Sequence, residues 1–560
     1  MAKERTFRDR ATRGFAWNYL YKLTEFGLLN LYTILVVRHF GPEISAPYAV
    51  FAALCTLTAQ ISAFAVDEVL LRYIQRISAN ENPKTDDITK IENLSLPWFL
   101  KRLFAFRILV VTFISALVFI SLLVLPYFVP SLAATLGSLN EFSPYLIIFL
   151  YAQAAIAFCT FSLIGLLETK LVFFASLVSR SLLLFGGIYF LFQGSLTLQY
   201  AVGLYVASAV INALYLLFIF SGEVNKFSSQ GSSEKFSFSS MLGEIRNLIT
   251  RPRQIKLFLA TPLMLYGITN WASQILSGVL GRQPDIIMMR AMLGEHSSDI
   301  GYYLSASLLF LITEYVFLIG LGGTLVSVFS KLAHDDEKQN EKKKYPLLAK
   351  ARHEIAGFQN VVLLPLCAYM LIFAPAVMGS VYGSKYDPAI PMLRVGLTAL
   401  VLTVGIFAGG MQITTLVAIG KERWVFRNRL CWGIANIVAN FFLIRSYGGL
   451  GAIIGTQFSN MSACATEYYL ARKFVAGSFN LSGTLRIVAI SIASVTGSYF
   501  LIQMVGKPDS QISNAVLGGL CTAAAVSGLY ALFRVPEAKK VWRRMVELFN
   551  QSRSAALANE

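Results

Sequence analysis

Arg180 sits about nine residues into a long apolar run, 171–193, within a polar patch made by Ser176, Ser179 and Ser181. Glu314 sits near the middle of another run, in the stretch FLITEYVF. These are the deepest charges of each sign. A charge inside a membrane-spanning helix is costly, so it faces a cavity, a partner or an ion path. Arginine stays protonated at any depth, and its planar fork fits two phosphate oxygens at once. Arg180 therefore reads as a contact for a phosphate-bearing cargo, with an interhelical ion pair or a bond to backbone carbonyls as the competing role. Glu314 reads as a proton or cation site, with pairing to Arg180 or a lysine as the competing role.

Other polar residues recur at helical spacing. Lys22 and Glu25 are three apart and can pair. Gln60 and Asp67 share a face of one helix, with Glu68 beside them toward the cytoplasmic end; Asp67 and Glu68 suit an inner gate as well as ion coupling. Asn270 shares a face with Gln274, and Asn436 with Asn440; asparagines in spans more often join helices than bind ligands. Arg107 starts a span and is expected to snorkel to the interface. Arg38 and Arg290 flank external helix ends, where anchoring a loop explains them. The candidate substrate contacts are Arg180, Lys22, Arg107, Arg38, Arg290, Asn270 and Gln274. The candidate coupling or gate residues are Glu314, Asp67, Glu68 and Glu25.

Several chemistries lack their motifs. There is no Gly-x-x-x-x-Gly-Lys-[Ser/Thr], hence no built-in ATPase. Neither Gly-x-Ser-x-Gly nor His-Glu-x-x-His occurs. The six cysteines all fall in apolar segments without a CxxC, and the four histidines are scattered, so no metal site is expected. The chain reads as a transporter and not an enzyme, driven by an ion gradient of H⁺ or Na⁺, by membrane potential or by cargo supply, with no other cofactor.

The elements that carry these residues follow from composition. The 560 residues are 56% hydrophobic and 14% charged, against roughly 25% charged in a soluble protein. Mean hydropathy is +0.60. Such a chain cannot cover itself with polar surface, and in lipid only helices or closed barrels satisfy every backbone polar group. Runs of about 20 apolar residues are helix-length. The expected class is an all-α polytopic membrane protein with about fourteen spans: 14–37, 47–71, 103–128, 143–167, 171–193, 196–220, 257–281, 300–330, 355–380, 389–417, 424–445, 449–471, 483–505 and 512–533.

Lysine and arginine set the direction. With the N-terminus inside, the inner segments hold nearly all of them, including the runs 221–256, 331–354 and the tail after Arg534. The outer side holds only Arg38, Arg282, Arg290, Lys385, Arg394, Arg445 and Lys507. That bias places both termini in the cytoplasm. It also accounts for the net charge of +17 through topology and anionic headgroups, without nucleic acid.

The segments VVRHFGPEISAPYAVFAAL and MMRAMLGEHSSDIGYYLSASL share an Arg, a Gly and a Tyr: Arg38, Gly41, Tyr48 and Arg290, Gly294, Tyr302. The copies lie six helices apart, so they have the same orientation, as in parallel-repeat transporters. The expected architecture is two pseudo-symmetric six-helix lobes around a central cavity, plus two C-terminal helices. The lobes are 1–220 and 257–473, joined by a basic linker 221–256 that is poor in apolar pattern. Helices 13 and 14 occupy 474–533, and 534–560 is a basic cytoplasmic tail.

Three stretches resemble a known family. They are RHFGPEISAPYAVFAALCTLTAQISAFAVDEVLLRYI, QPDIIMMRAMLGEHSSDIGYYLSASLL, and MGSVYGSKYDPAIPMLRVGLTAL with the following LVAIGKERWVFRNRLCWGIANIVANFFLIRSYGGLGAIIGTQFS. The chain resembles the multidrug/oligosaccharidyl-lipid/polysaccharide (MOP) superfamily, and within it the Wzx-type polysaccharide (O-antigen) flippases. The aspartate of that pattern, Asp285, joins the coupling or gate candidates. The resemblance implies a bacterial plasma-membrane flippase that moves an undecaprenyl-pyrophosphate-linked oligosaccharide outward by alternating access. It also implies polysaccharide polymerase and chain-length regulator proteins as partners, beside membrane lipids. A lipid II flippase and a multidrug cation antiporter are the rivals within the superfamily. A membrane scaffold and a membrane-embedded glycosyltransferase are rivals outside it, disfavoured by the buried charges and the short external loops.

Overall fold

The computed structural model describes residues 2–78, 96–128, 130–228, 238–251, 259, 261–294, 297–318, 321–338, 345–475, 481–505, 510–540 and 543. His296, Lys342–Lys344 and most of the tail lie outside these. Among the described residues every regular element is helical. Among the described residues, eleven helices are long and apolar enough to cross a membrane. Their outer faces carry large apolar side chains in the open, such as Phe192 (87% exposed) and Phe218 (84%), which only lipid would cover. The chain is an all-α polytopic membrane protein.

It forms two compact units, 1–301 and 302–560. The first contains α1 (Ala2–Ile44), α2 (Ala46–Ala63), α3 (Val66–Ser78), α4 (Leu96–Phe128), α5 (Pro130–Gly165), α6 (Thr169–Phe192), α7 (Leu198–Ser228), α8 (Phe238–Thr250), α9 (Pro262–Val279) and α10 (Arg282–Leu293). Its core is a continuous aromatic and aliphatic cluster in which Phe149 stacks on Tyr205 and Phe51 meets both Phe142 and Tyr205.

The packing of α1 on α6 positions the deep charges. Both helices run the same way along one seam. Trp17 meets Phe173 (5.3 Å between ring centroids), Glu25 meets Arg180, and Tyr32 meets Gly187. The last two pairs have one offset, so seven residues on α1 match seven on α6, two turns each. Gly187 permits the approach: a Cβ there would lie 2.7 Å from the Tyr32 ring. The Tyr32 hydroxyl then donates to the Ala201 carbonyl at 2.7 Å, which ties in α7. Gly187→Val is expected to cost about 1–3 kcal/mol by overpacking, read as a lower unfolding temperature in detergent.

Part of the segment 221–256 is helical. Between 221 and 256 it contains α8, an amphipathic helix. Leu248 is fully buried, and Glu244 pairs with Arg102 of α4 at 3.6 Å. Its apolar residues, Phe238, Met241, Leu242, Ile245, Leu248 and Ile249, recur at helical spacing and never form a long apolar run.

The second unit contains α11 (Ser298–Leu318, starting at the boundary), α12 (Leu321–Lys338), α13 (Pro346–Ile372), α14 (Ala374–Val381), α15 (Ile390–Leu400), α16 (Gly409–Ala418), α17 (Glu422–Phe474), α18 (Leu481–Val505) and α19 (Gln511–Leu532). The fourteen spans do not reappear one for one. The run 300–330 divides into α11 and α12. Segments 424–445 and 449–471 are the halves of α17, folded back at Gly448 (φ 57°, ψ −134°). The capping is local: Asp336 of α12 accepts from Leu347 N and Leu348 N, both at 3.1 Å, and so caps α13.

The repeat glycines adopt one conformation. Gly41 has φ 80° and ψ 175°, and Gly294 has φ 92° and ψ 177°. This region is almost closed to residues with a Cβ. Gly383, in the YGSKYDPA segment, repeats it at φ 91° and ψ 170°. The same turn thus links successive helices three times.

Candidate anion site and its neighbouring charge pairs

Arg180 lies at the middle of the 24-residue α6 and is only 7% exposed. Its one charge partner among the described residues is Glu25 on α1, at 3.8 Å. That distance is too long for a hydrogen bond, and Arg180 makes none to any described residue; its Nε is buried without a partner. A guanidinium offers five donors. Leaving a buried one such as Nε unmade is expensive unless a ligand takes it. Glu25 is held from the other side by Lys22 at 3.5 Å, and the Tyr21 hydroxyl lies beside the same carboxylate. Arg180 and Arg282 both act electrostatically on the hydroxyls of Tyr48 and Tyr205.

A second feature lies between α2 and α3. Phe64 (φ 31°) and Ala65 (φ 70°) both take left-handed backbone, so the expected single helix 47–71 is broken there. No proline or glycine marks the place. Instead α9 braces it. Trp271 Nε1 donates to the freed Gln60 carbonyl at 3.0 Å, its ring lies 4.8 Å from Phe64, and Gly267 makes room for the Ala65 carbonyl. Below the break Asp67 pairs with Arg107, and Glu68 accepts from Gln274. Gln60 and Asp67 therefore do not share one helical face. Left-handed backbone costs a residue with a Cβ roughly 1–2 kcal/mol, part of which glycine would lose again to unfolded-chain entropy. Ala65→Gly is expected to stabilise the protein by about 0.5–1 kcal/mol, read by thermal unfolding.

The second unit holds a tighter pair. Arg429 and Glu467, on the two halves of α17, form a two-point bond at 2.7 and 2.9 Å. Asn428 adds a bond to Glu467 at 3.2 Å, and Asn460 accepts from Arg429 at 3.4 Å. Glu467 is completely buried. Glu314 on α11 is half-buried and has no ion pair or hydrogen bond to any described residue; the thiols of Cys367 and Cys464 are within its electrostatic reach. Close to Cys464 the chain between α15 and α16 leaves α-geometry, with a π-turn at Val401–Ile406 and left-handed Ala408. Asn360 donates to the Gly405 carbonyl at 2.9 Å, and Gln412 to that of Phe407 at 2.9 Å. Such bulges recur at functional sites. A groove of about 960 Å³ runs between α13 and α19, apolar along Val361, Pro365 and Val526 and basic at Arg534 and Lys539.

No family model matches this sequence, and no curated protein is similar to it. Solved structures are similar. The lipid II flippase MurJ, in an inward closed conformation, matches with a TM-score of 0.58 at 15% identity, over 94% of this chain and 99% of that one. An inward-facing multidrug resistance MATE transporter of the MOP superfamily matches at 0.52 and 15% identity, over 81% and 97%. A MATE protein in a bent conformation matches at 0.50 and 14%, over 85% and 96%. The chain has the fold of the MOP transporters.

Within that fold the expected site residues separate. Arg180, Lys22 and Glu25 come together. Asp67, Glu68, Arg107 and Gln274 come together around the α2–α3 break. Arg107 is 1% exposed and paired, so it is not a snorkelling residue. Asn270 donates to the Tyr266 carbonyl of its own helix at 3.2 Å. Asp285 and Arg290 are buried in α10, whereas Arg38, the repeat counterpart of Arg290, is exposed. Asn436, Asn440 and Thr456 bond one another at 3.0–3.3 Å and join the halves of α17. Two features escaped the sequence reading. Arg282 looks like a loop charge in sequence, and Arg429 looks like a topology signal, because its partner Glu467 lies 38 residues away.

Proposed function

We propose that the protein is a flippase that moves an undecaprenyl-pyrophosphate-linked oligosaccharide from the cytoplasmic to the outer leaflet of a bacterial plasma membrane. In this reading both termini are cytoplasmic and the mechanism is alternating access. The observation that carries it is Arg180: a mid-helix guanidinium with its hydrogen-bond donors unmade and an accessible lysine close by. That chemistry suits a diphosphate, whose oxygens accept charge-assisted bonds and accommodate an arginine fork. The basic-ended apolar groove between α13 and α19 supports a lipid-linked cargo, since the tail stays in the bilayer while the headgroup crosses.

Direction follows from charge. An inside-negative potential favours outward movement of an anion by roughly 2.3 kcal/mol per charge per 100 mV. A diphosphate with about two charges is exported downhill in potential, so H⁺ or Na⁺ coupling is an addition and not a requirement. A second reading is favoured by one observation: Glu314 has no counter-ion among the described residues, as a cation- or proton-coupled antiporter of drugs would need. Lipid II, the cargo named for the flippase MurJ, presents the same kind of headgroup chemistry as the glycan lipid.

The test is mass spectrometry of lipids that co-purify from native membranes, for wild type and Arg180→Ala. A polyprenyl-pyrophosphate glycan present in wild type and depleted in the variant supports the proposal and identifies the glycan. A peptide-bearing precursor in its place moves the assignment to lipid II. Only bulk phospholipid in both samples overturns the diphosphate site.

A further inference from the structure

The Arg180 site contains its own anion. We propose that Glu25 is a built-in competitor for Arg180: its carboxylate neutralises the guanidinium between cargoes, yields it to an arriving phosphate, and takes it back on release. This rests on the reading of Arg180 as the phosphate contact.

Three observations carry it. First, the Glu25–Arg180 pair is an ion pair without a hydrogen bond, at 3.8 Å, so the donors stay free for an incoming anion. A phosphate oxygen bonds at about 2.7–2.9 Å and can take two donors at once. Second, breaking a buried pair is ordinarily costly because one charge is left uncompensated. Here neither is. Arg180 gains the phosphate, and Glu25 keeps Lys22 at 3.5 Å and the neighbouring Tyr21 hydroxyl. Third, Lys22 and Glu25 are one turn apart on α1 and share no element with Arg180, so their pairing survives any change at α6. Glu25 and Lys22 keep 22% and 46% side-chain exposure, which lets the displaced carboxylate be solvated, whereas Arg180 keeps 8%. A bare guanidinium would retain its anion; a resident carboxylate limits the affinity and makes release reversible exchange.

The experiment measures binding of inorganic pyrophosphate to the purified full chain in detergent. The proteins are wild type, Glu25→Gln, Glu25→Asp, Arg180→Gln and the Glu25→Gln/Arg180→Gln double variant. The expected result is binding about tenfold tighter in Glu25→Gln, with the gain absent when Arg180 is glutamine. Glu25→Asp keeps the charge and withdraws the carboxylate by one methylene; it is expected to tighten binding several-fold, less than Glu25→Gln, as a competition that weakens with distance requires. Cargo turnover in the tighter variants is expected to fall as affinity rises. Wild-type binding that depends on Arg180 but is unchanged in both Glu25 variants overturns the competitor and leaves the anion site standing. Binding that ignores Arg180 altogether overturns the site and the competitor with it.

Discussion

Arg180→Ala is expected to reduce cargo translocation by roughly a hundredfold or more while the protein still inserts and purifies. Each hydrogen bond to a charged group contributes about 1.5–3 kcal/mol, and a fork that grips a diphosphate supplies at least two. The loss falls on function because the guanidinium makes no hydrogen bond to the described structure and its single ion pair is long. Glu25 is not orphaned by the change, since Lys22 remains its partner at 3.5 Å. Arg180→Lys keeps the charge and loses the fork, so partial activity is expected, well below wild type. The check is a headgroup-translocation assay run beside thermal unfolding of each variant. A variant that unfolds early would show Arg180 to be a structural charge.

Glu467→Ala is expected to destabilise the protein by about 3–5 kcal/mol, because it leaves Arg429 buried without its carboxylate. Arg429 is 5% exposed and Glu467 not at all, and the two bonds between them join the halves of α17. Replacing both by apolar residues of similar volume, Arg429→Met with Glu467→Leu, is expected to recover most of the stability, since such pairs are often neutral against a packed apolar contact. Unfolding midpoints of wild type, Arg429→Met, Glu467→Leu and the double variant decide it, as a double-mutant cycle. Together with the Arg180 series this separates two of the buried arginines: Arg180 is expected to act in cargo handling, and Arg429 in holding a hairpin closed.

The contrast shows what was legible in the sequence. The depth of Arg180 and Glu314 follows from counting residues along apolar runs, and the pairing of Lys22 with Glu25 from a spacing of three. The repeat was visible as Arg, Gly and Tyr at matching places, and its glycines share one conformation that only glycine readily takes. What could not be read is long-range. Glu25 and Arg180 meet because α1 and α6 share a seam with a fixed offset, and that offset is set by Tyr32 entering the space left by Gly187. Arg429 and Glu467 meet because α17 reverses at Gly448. The α2–α3 break has no local signal: Phe64 and Ala65 are ordinary helix residues, and the brace that holds them left-handed comes from Gly267 and Trp271 of α9. Tertiary contact there overrides propensity.

The central claim is that a lipid-linked diphosphate crosses the membrane through this protein. The direct measurement is reconstitution of the purified full chain into liposomes that carry a labelled undecaprenyl-pyrophosphate-linked sugar. The labelled headgroup is followed with a reagent that cannot cross the bilayer, at an imposed potential. The account predicts protein-dependent exposure of the headgroup, faster when the receiving side is positive, and lost in Arg180→Ala. No headgroup movement, with accumulation of an organic cation driven by a proton or sodium gradient, would contradict it and identify a drug antiporter instead.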